Sequence, residues 1–385
     1  MERLKVMDTD WLLGRHKRID QAVSLQLSTI RGLSAIVVLV AHAYQIFVAP
    51  VYPALYALFG LIAQFSVMVF FVLSGFLICK SITRNVGDNG FFSAGEYAAD
   101  RADRILPPLL FSILIIGALA SATAFCFPSG ADDFLRFGGL MAREGFYVDP
   151  IDVLGSLVFT NGFITDNVSA NAPLWSLSFE VWYYFAIAMM FKLKGKKGVT
   201  AGAIMLCSMA LLNKSFLLYS IVWFGGACVA LMHNHGVHKA KEFTIAAVVS
   251  GVIAAIIGVF YLQSFAAASP AAQASTKLIP LWNLFSGLAF AAVLTLMLDN
   301  KISIPAVATW TSNFSYTLYI IHFPILLFIY GATQIRTMSS LPWSILAGVG
   351  ALCICMVISY YSAKVVESLR PFKNAMTSRL MPGTK

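Results

Sequence analysis

The chain has 385 residues, 59% of them hydrophobic and only 12% charged, with a mean hydropathy of +0.78 and a formal net charge of +9. Soluble domains carry about 25% charged residues, so this composition excludes a disordered chain, a coiled coil and an ordinary cytosolic enzyme. What fits is an all-α polytopic membrane protein.

The first thirty residues are polar and mixed in charge, without an apolar stretch followed by a small-residue cleavage site. No removable signal peptide is expected, and the first span itself serves for targeting. A membrane span needs about 20 mostly apolar residues. Ten runs qualify: 33–51, 56–79, 105–127, 172–191, 198–213, 215–232, 243–262, 279–298, 310–331 and 342–362. The fifth is short, and its separation from the sixth rests on Asn213-Lys214. Val153–Ile164 is shorter still, contains Asn161-Gly162, and reads as an interfacial or re-entrant segment. The expected organisation is a cytoplasmic N-terminal segment (1–30), a ten-span membrane domain (31–362) with a long outer loop (128–171), and a cytoplasmic tail (363–385).

Charge supports that count. With the N-terminus inside, alternate loops fall on opposite sides, and of the 27 Lys and Arg residues only Arg136, Arg143, Lys214, Lys277 and Arg336 lie outside. This asymmetry predicts a ten-helix bundle integral to the inner or plasma membrane, with both termini cytoplasmic. The net charge then reads as topology and contact with membrane lipids, with no nucleic-acid partner. The outer loop carries Asp132, Asp133, Glu144, Asp149, Asp152 and Asp166. A loop of that size shapes or covers a site, and its acidity hints at a neutral or cationic acceptor surface. The six cysteines sit in or at the ends of apolar runs and are expected to be buried core thiols.

Ionisable side chains inside a bilayer are costly and mark function. The candidates are His42 in the first span, Glu180 in the fourth and His322 in the ninth, with Arg31 at the mouth of the first. His42 follows Arg31 by eleven positions, which puts both on one helix face about 16 Å apart. Counted from the outer ends of their spans, His42, Glu180 and His322 come to a similar depth. A carboxylate beside His42 would orient its imidazole as a general base; the plainer reading is that the pair only holds two helices together. His322 alone is as readily a satisfied core residue. Arg101 and Arg104 share a face at the start of the third span, with Pro107 and Pro108 in its first turns. With Arg31 they form a basic mouth for a polyanion such as a nucleotide phosphate, or else serve as positive-inside anchors. His233, His235 and His238 have no acidic or cysteine partner nearby in sequence and read as a solvated loop, so no metal site is expected. Ser74, followed by Gly75, has no base beside it in sequence.

Taken together, RGLSAIVVLVAH from Arg31 to His42, FFVLSGFLI in the second span, RADRILP entering the third, LWSLSFEVWYY in the fourth and YTLYIIHFP in the ninth resemble the acyltransferase-3 family. Its members are integral membrane O-acyltransferases that decorate surface polysaccharides. The motifs fall in the family's order and, with the span count, cover nearly the whole chain. One departure is Val181, where many members continue with a second acidic residue.

The resemblance implies acyl-CoA as co-substrate, taken from the cytoplasm, with acetyl the first expectation and succinyl the second, and no permanently bound cofactor. The implied acceptor is a hydroxyl of a cell-surface or exopolysaccharide glycan, or of a lipid-linked saccharide. Carried over, Arg31, Arg101 and Arg104 bind the donor, and His42 and Glu180 are catalytic. Ser176 and Ser178, close to Glu180, are candidates to position the acceptor or steady an oxyanion, as are His322 and the stacking face of Trp175. The rival is a transporter or flippase for a lipid-linked glycan. Such proteins show paired broken helices in matching halves, a pattern the sequence does not display.

Overall fold

A computed structural model describes residues 16–135, 140–193, 195–266 and 277–380. Arg136, Lys194 and the ends 1–15 and 381–385, which enter the charge pattern above, lie outside the described residues. Those described form helices, with isolated bridges between Asp133 and Gly145 and between Asn161 and Thr165, and no strand.

Helix α1 (Gln21–Ala43) starts where the Asp20 carboxylate accepts the Ala22 N–H. It passes into a single π-helical turn, Tyr44–Val48, just beyond His42. α2 (Tyr56–Asn89) stops at Gly90, whose φ of +73° lets its N–H return to the Val86 carbonyl. α3 (Ala94–Cys126) begins well before the predicted run, so Pro107 and Pro108 fall in its interior and not in its first turns. Each ring frees a carbonyl one turn earlier, those of Asp103 and Arg104. There follow a short α4 (Pro150–Leu157), α5 (Trp175–Leu193), α6 (Gly195–Leu212), α7 (Lys214–Asn234) and α8 (Ala240–Ala266). α9 (Leu278–Leu298), α10 (Ser315–Thr337), α11 (Leu341–Val366) and α12 (Pro371–Leu380) complete the chain. Two 3₁₀ segments, Ser169–Leu174 and Thr309–Asn313, lead into α5 and α10.

Among the described residues, nine helical segments are long and apolar enough to cross a membrane, by length and composition. α6 occupies the predicted fifth run. Its first turn carries Lys196 and Lys197, which leaves too short an apolar stretch for it to qualify. The segment 153–164 is a short helix and a turn, not a span. That turn, with φ of 60° at Phe159 and 78° at Gly162, is pinned where Trp182 Nε1 donates to the Phe159 carbonyl and Asn213 Nδ2 to that of Gly162, both at 2.8 Å.

α10 lies at the centre, against α1, α3, α11 and the 169–174 segment, while α8 packs mainly on α9 at the periphery. Lys80, near the end of α2, is buried and donates to the Lys17 carbonyl, to Nδ1 of His233 and to Oδ1 of Asn234. His233 is therefore interior and not part of a solvated loop; His238 pairs with Asp299 at 2.6 Å. Of the cysteines, Cys79 and Cys355 are buried, but Cys126, Cys207, Cys228 and Cys353 are exposed. That corrects the expectation of six core thiols: on a surface facing lipid, an apolar thiol needs no burial.

The α2–α7 contact depends on glycine at two reciprocal positions. A Cβ on Gly75 would stand 1.9 Å from the Trp223 carbonyl oxygen, and one on Gly226 2.0 Å from that of Val72. Lipid gives helices no hydrophobic reason to associate, so close backbone approach supplies the packing. Gly75→Ala or Gly226→Ala should destabilise the protein by about 1–3 kcal/mol or more, read as a lower melting temperature in detergent. Alanine at Gly251, which has open space around it, should not.

Candidate functional site

A cavity enclosing about 860 Å³ of empty space, its open mouth included, is lined by Arg31 of α1, Arg101 and Arg104 of α3, and Ser176 and Glu180 of α5. The structure thus gathers all three arginines singled out in the sequence around one space. Arg31 is held where its Nη2 donates to the Ser312 carbonyl at 3.1 Å. Arg101 lies 5.8 Å from the Tyr97 ring and Arg104 5.7 Å from the Tyr316 ring. None of the three forms a salt bridge among the described residues. Nε of Arg31, Nε of Arg101 and the Tyr316 hydroxyl are buried without a hydrogen-bond partner. Buried polar groups left without a partner are costly, and these three belong to residues that line the cavity.

Glu180 is the one carboxylate on this cavity. It accepts hydrogen bonds from the Ser74 and Tyr184 hydroxyls, and Trp223 Nε1 donates to Ser74 Oγ at 3.1 Å. Glu180 therefore does not orient His42. The sequence places the two at equal depth by starting the fourth span at the outer surface. In the structure, the 3₁₀ segment 169–174 is already inside the bundle before α5 begins. Asn171 is fully buried and donates to the Ile320 carbonyl at 2.8 Å and to Ser112 Oγ at 3.0 Å. Glu180, nine residues further along, consequently lies at the level of the arginines.

The partner of His42 is His322. Their rings are parallel to within 8°, with Nδ1 of His42 2.8 Å from Nε2 of His322. The hydrogen-bond pattern assigns the protons. His322 Nδ1 is 3.0 Å from the Leu318 carbonyl, which can only accept, so Nδ1 carries hydrogen and Nε2 a lone pair. His42 must then donate from Nδ1, which leaves its Nε2 as the open basic nitrogen. The histidine pair does not line the cavity but stands beyond its end. Tyr316, Tyr319 and His322 recur every three residues along α10, and the Tyr319 and His322 rings are 6.1 Å apart. On α1, Arg31 and His42 are eleven residues apart.

The remaining candidates divide. Ser176 faces the cavity, bonded to the Tyr319 hydroxyl at 2.7 Å and the Pro173 carbonyl at 3.1 Å. Ser178 instead donates to Asn161, and Trp175 packs among Phe71, Phe179 and Tyr219, so neither lines the cavity. Arg143 was legible only as a loop charge. Its guanidinium reaches inward to 5.5 Å from the Phe323 ring, which meets the His42 ring edge-on at 5.1 Å. Burial pushes the Arg143 pKa below its ordinary value. Ser74 had no visible base because Glu180 is 106 positions away.

The fold and this cavity define a helical, membrane-type protein with an internal space lined by three arginines and a histidine pair beyond it. The chain belongs to the acyltransferase-3 family: the model described as an acyltransferase domain matches residues 25–360. No curated protein and no solved structure matches the chain. The protein is thus a membrane acyltransferase. Within its cavity, Tyr184→Phe removes one of two donors to the half-buried Glu180 carboxylate and should lower stability by about 1–3 kcal/mol, measured by thermal melting in detergent.

Proposed function

We propose that the protein is an O-acyltransferase of the inner or plasma membrane, with both termini in the cytoplasm. It passes an acyl group, acetyl first and succinyl as the alternative, from cytoplasmic acyl-CoA to a hydroxyl of a cell-surface or exopolysaccharide glycan or its lipid-linked precursor. The observation that carries the reading is the gathering of three arginines around one cavity, one of them on the helix that carries His42. Arg31, Arg101 and Arg104 hold the donor's phosphates. Along α1, Arg31 and His42 are about 16 Å apart, an interval suited to an extended pantetheine arm. His42 Nε2 takes the proton of the acceptor hydroxyl as its oxygen attacks the thioester carbonyl, and returns a proton to the departing thiolate. His322 holds the tautomer, a task that falls to a carboxylate in other triads. Glu180 organises the donor end through Ser74 and Tyr184 and takes no part in the proton transfer.

Expected outcomes follow from the roles. His42→Ala should abolish transfer while the protein still inserts and folds. His322→Ala should lower kcat by about 10²–10⁴ with little change in the KM for acyl-CoA, whereas Arg101→Gln and Arg104→Gln should raise that KM. The decisive comparison is the mass of the surface polysaccharide repeat unit with the gene intact, deleted or carrying His42→Ala. Loss of one acetyl or one succinyl group in both altered strains supports the reading and names the acyl group. An unchanged repeat unit with less polysaccharide at the surface would sink it in favour of glycan export.

A further inference from the structure

Two helix N-termini at the arginine end of the bundle are capped from distant parts of the chain. Pro371 opens α12 and has no N–H; the next two amides, of Phe372 and Lys373, donate to the two oxygens of Asp103 at 2.8 and 3.0 Å. Asp103 is 1% exposed and lies between Arg101 and Arg104 on α3. Phe314, which precedes α10, has no capping side chain. In its place Glu367, just past α11, accepts the Thr317 N–H at 3.1 Å and the Thr317 hydroxyl at 2.6 Å. Lys373 Nζ also reaches Asp100 at 3.0 Å.

A carboxylate at a helix N-terminus satisfies amides that have no partner within the helix and meets the positive end of its dipole. Burial of Asp103 is tolerable because those amides are there. Its charge is thereby engaged by α12, and it makes no salt bridge to Arg101 or Arg104. The short segment 367–373 joins α10, which carries Tyr316, to α3, which carries the two arginines. These are facing walls of the cavity, and Arg104 and Tyr316 meet across it.

We propose that Asp103 is a positioning residue for donor binding: by holding the first turn of α12, it straps residues 367–373 between α3 and α10 and fixes where Arg101 and Arg104 present their guanidinium groups. The proposal rests on the donor reading above. Asp103 itself touches no substrate; it acts through the strap.

The test uses the full chain in nanodiscs, with Asp103→Asn, Asp103→Glu and, from the other end of the strap, Glu367→Gln. Hydrogen–deuterium exchange is followed in peptides covering 315–320 and 371–380, and binding of coenzyme A is measured by calorimetry. Asp103→Asn and Glu367→Gln should each speed exchange in both peptides. Each should also weaken coenzyme A and raise the KM for acyl-CoA about tenfold, with kcat at saturation held. Asp103→Glu should restore most of the affinity. Faster exchange confined to 371–380, with coenzyme A affinity unchanged, would overturn the proposal, as would an equal fall in kcat with no change in KM. A wild-type protein that binds no coenzyme A rejects the donor reading; linked or independent exchange of the two peptides then decides whether the strap exists.

Discussion

A membrane interior offers no water to hydrogen-bond with, so a buried polar group must find its partner in the protein or in a ligand. Most polar groups in this bundle comply. Lys80 has three acceptors, Asn171 bridges Ser112 and the Ile320 backbone, and Asp103 is met by two amides. Nε of Arg31, Nε of Arg101 and the Tyr316 hydroxyl, on residues that line the arginine cavity, are among the buried atoms without such a partner. The three arginines give that cavity a positive lining.

The helices were legible because about 20 apolar residues in a row have few alternatives, and each predicted run contains or overlaps a helix. Arg31, Arg101, Arg104 and Glu180 were legible because charge is rare in such runs, and they do share a cavity. The pairing of His42 was not. Its partner lies 280 positions away, and with Glu180 and His322 both set at the depth of His42 the sequence could not choose between them. The depth of Glu180 was misjudged because the predicted span starts at 172, whereas the 3₁₀ segment before α5 is already inside the bundle at Asn171, which reads as loop. Arg143 and Asp103 were hidden for a related reason. Hydropathy shows that a charge is present, not whether it turns inward.

The arginine cavity and the histidine pair beyond it share two helices, α1 and α10. α1 and α10 each present a group at the arginine end and a histidine beyond it, so a slip of either helix would break the 2.8 Å contact and shift Arg31 or Tyr316 together. Cys355 of α11 backs this arrangement, its thiol against the His322 carbonyl at 3.7 Å.

The chain of hydrogen bonds from the Leu318 carbonyl through His322 to His42 has a kinetic corollary. It occupies three of the four ring nitrogens, leaving one through which protons can pass. A proton collected there must depart from the same atom, so a nucleophile and a leaving group served by this imidazole visit one point in space. An acyl group parked on that nitrogen would remove the base needed for its own release. If His42 serves as the base proposed above, the steady-state pattern is sequential: both substrates are bound before the first product leaves, and initial-rate plots intersect instead of running parallel.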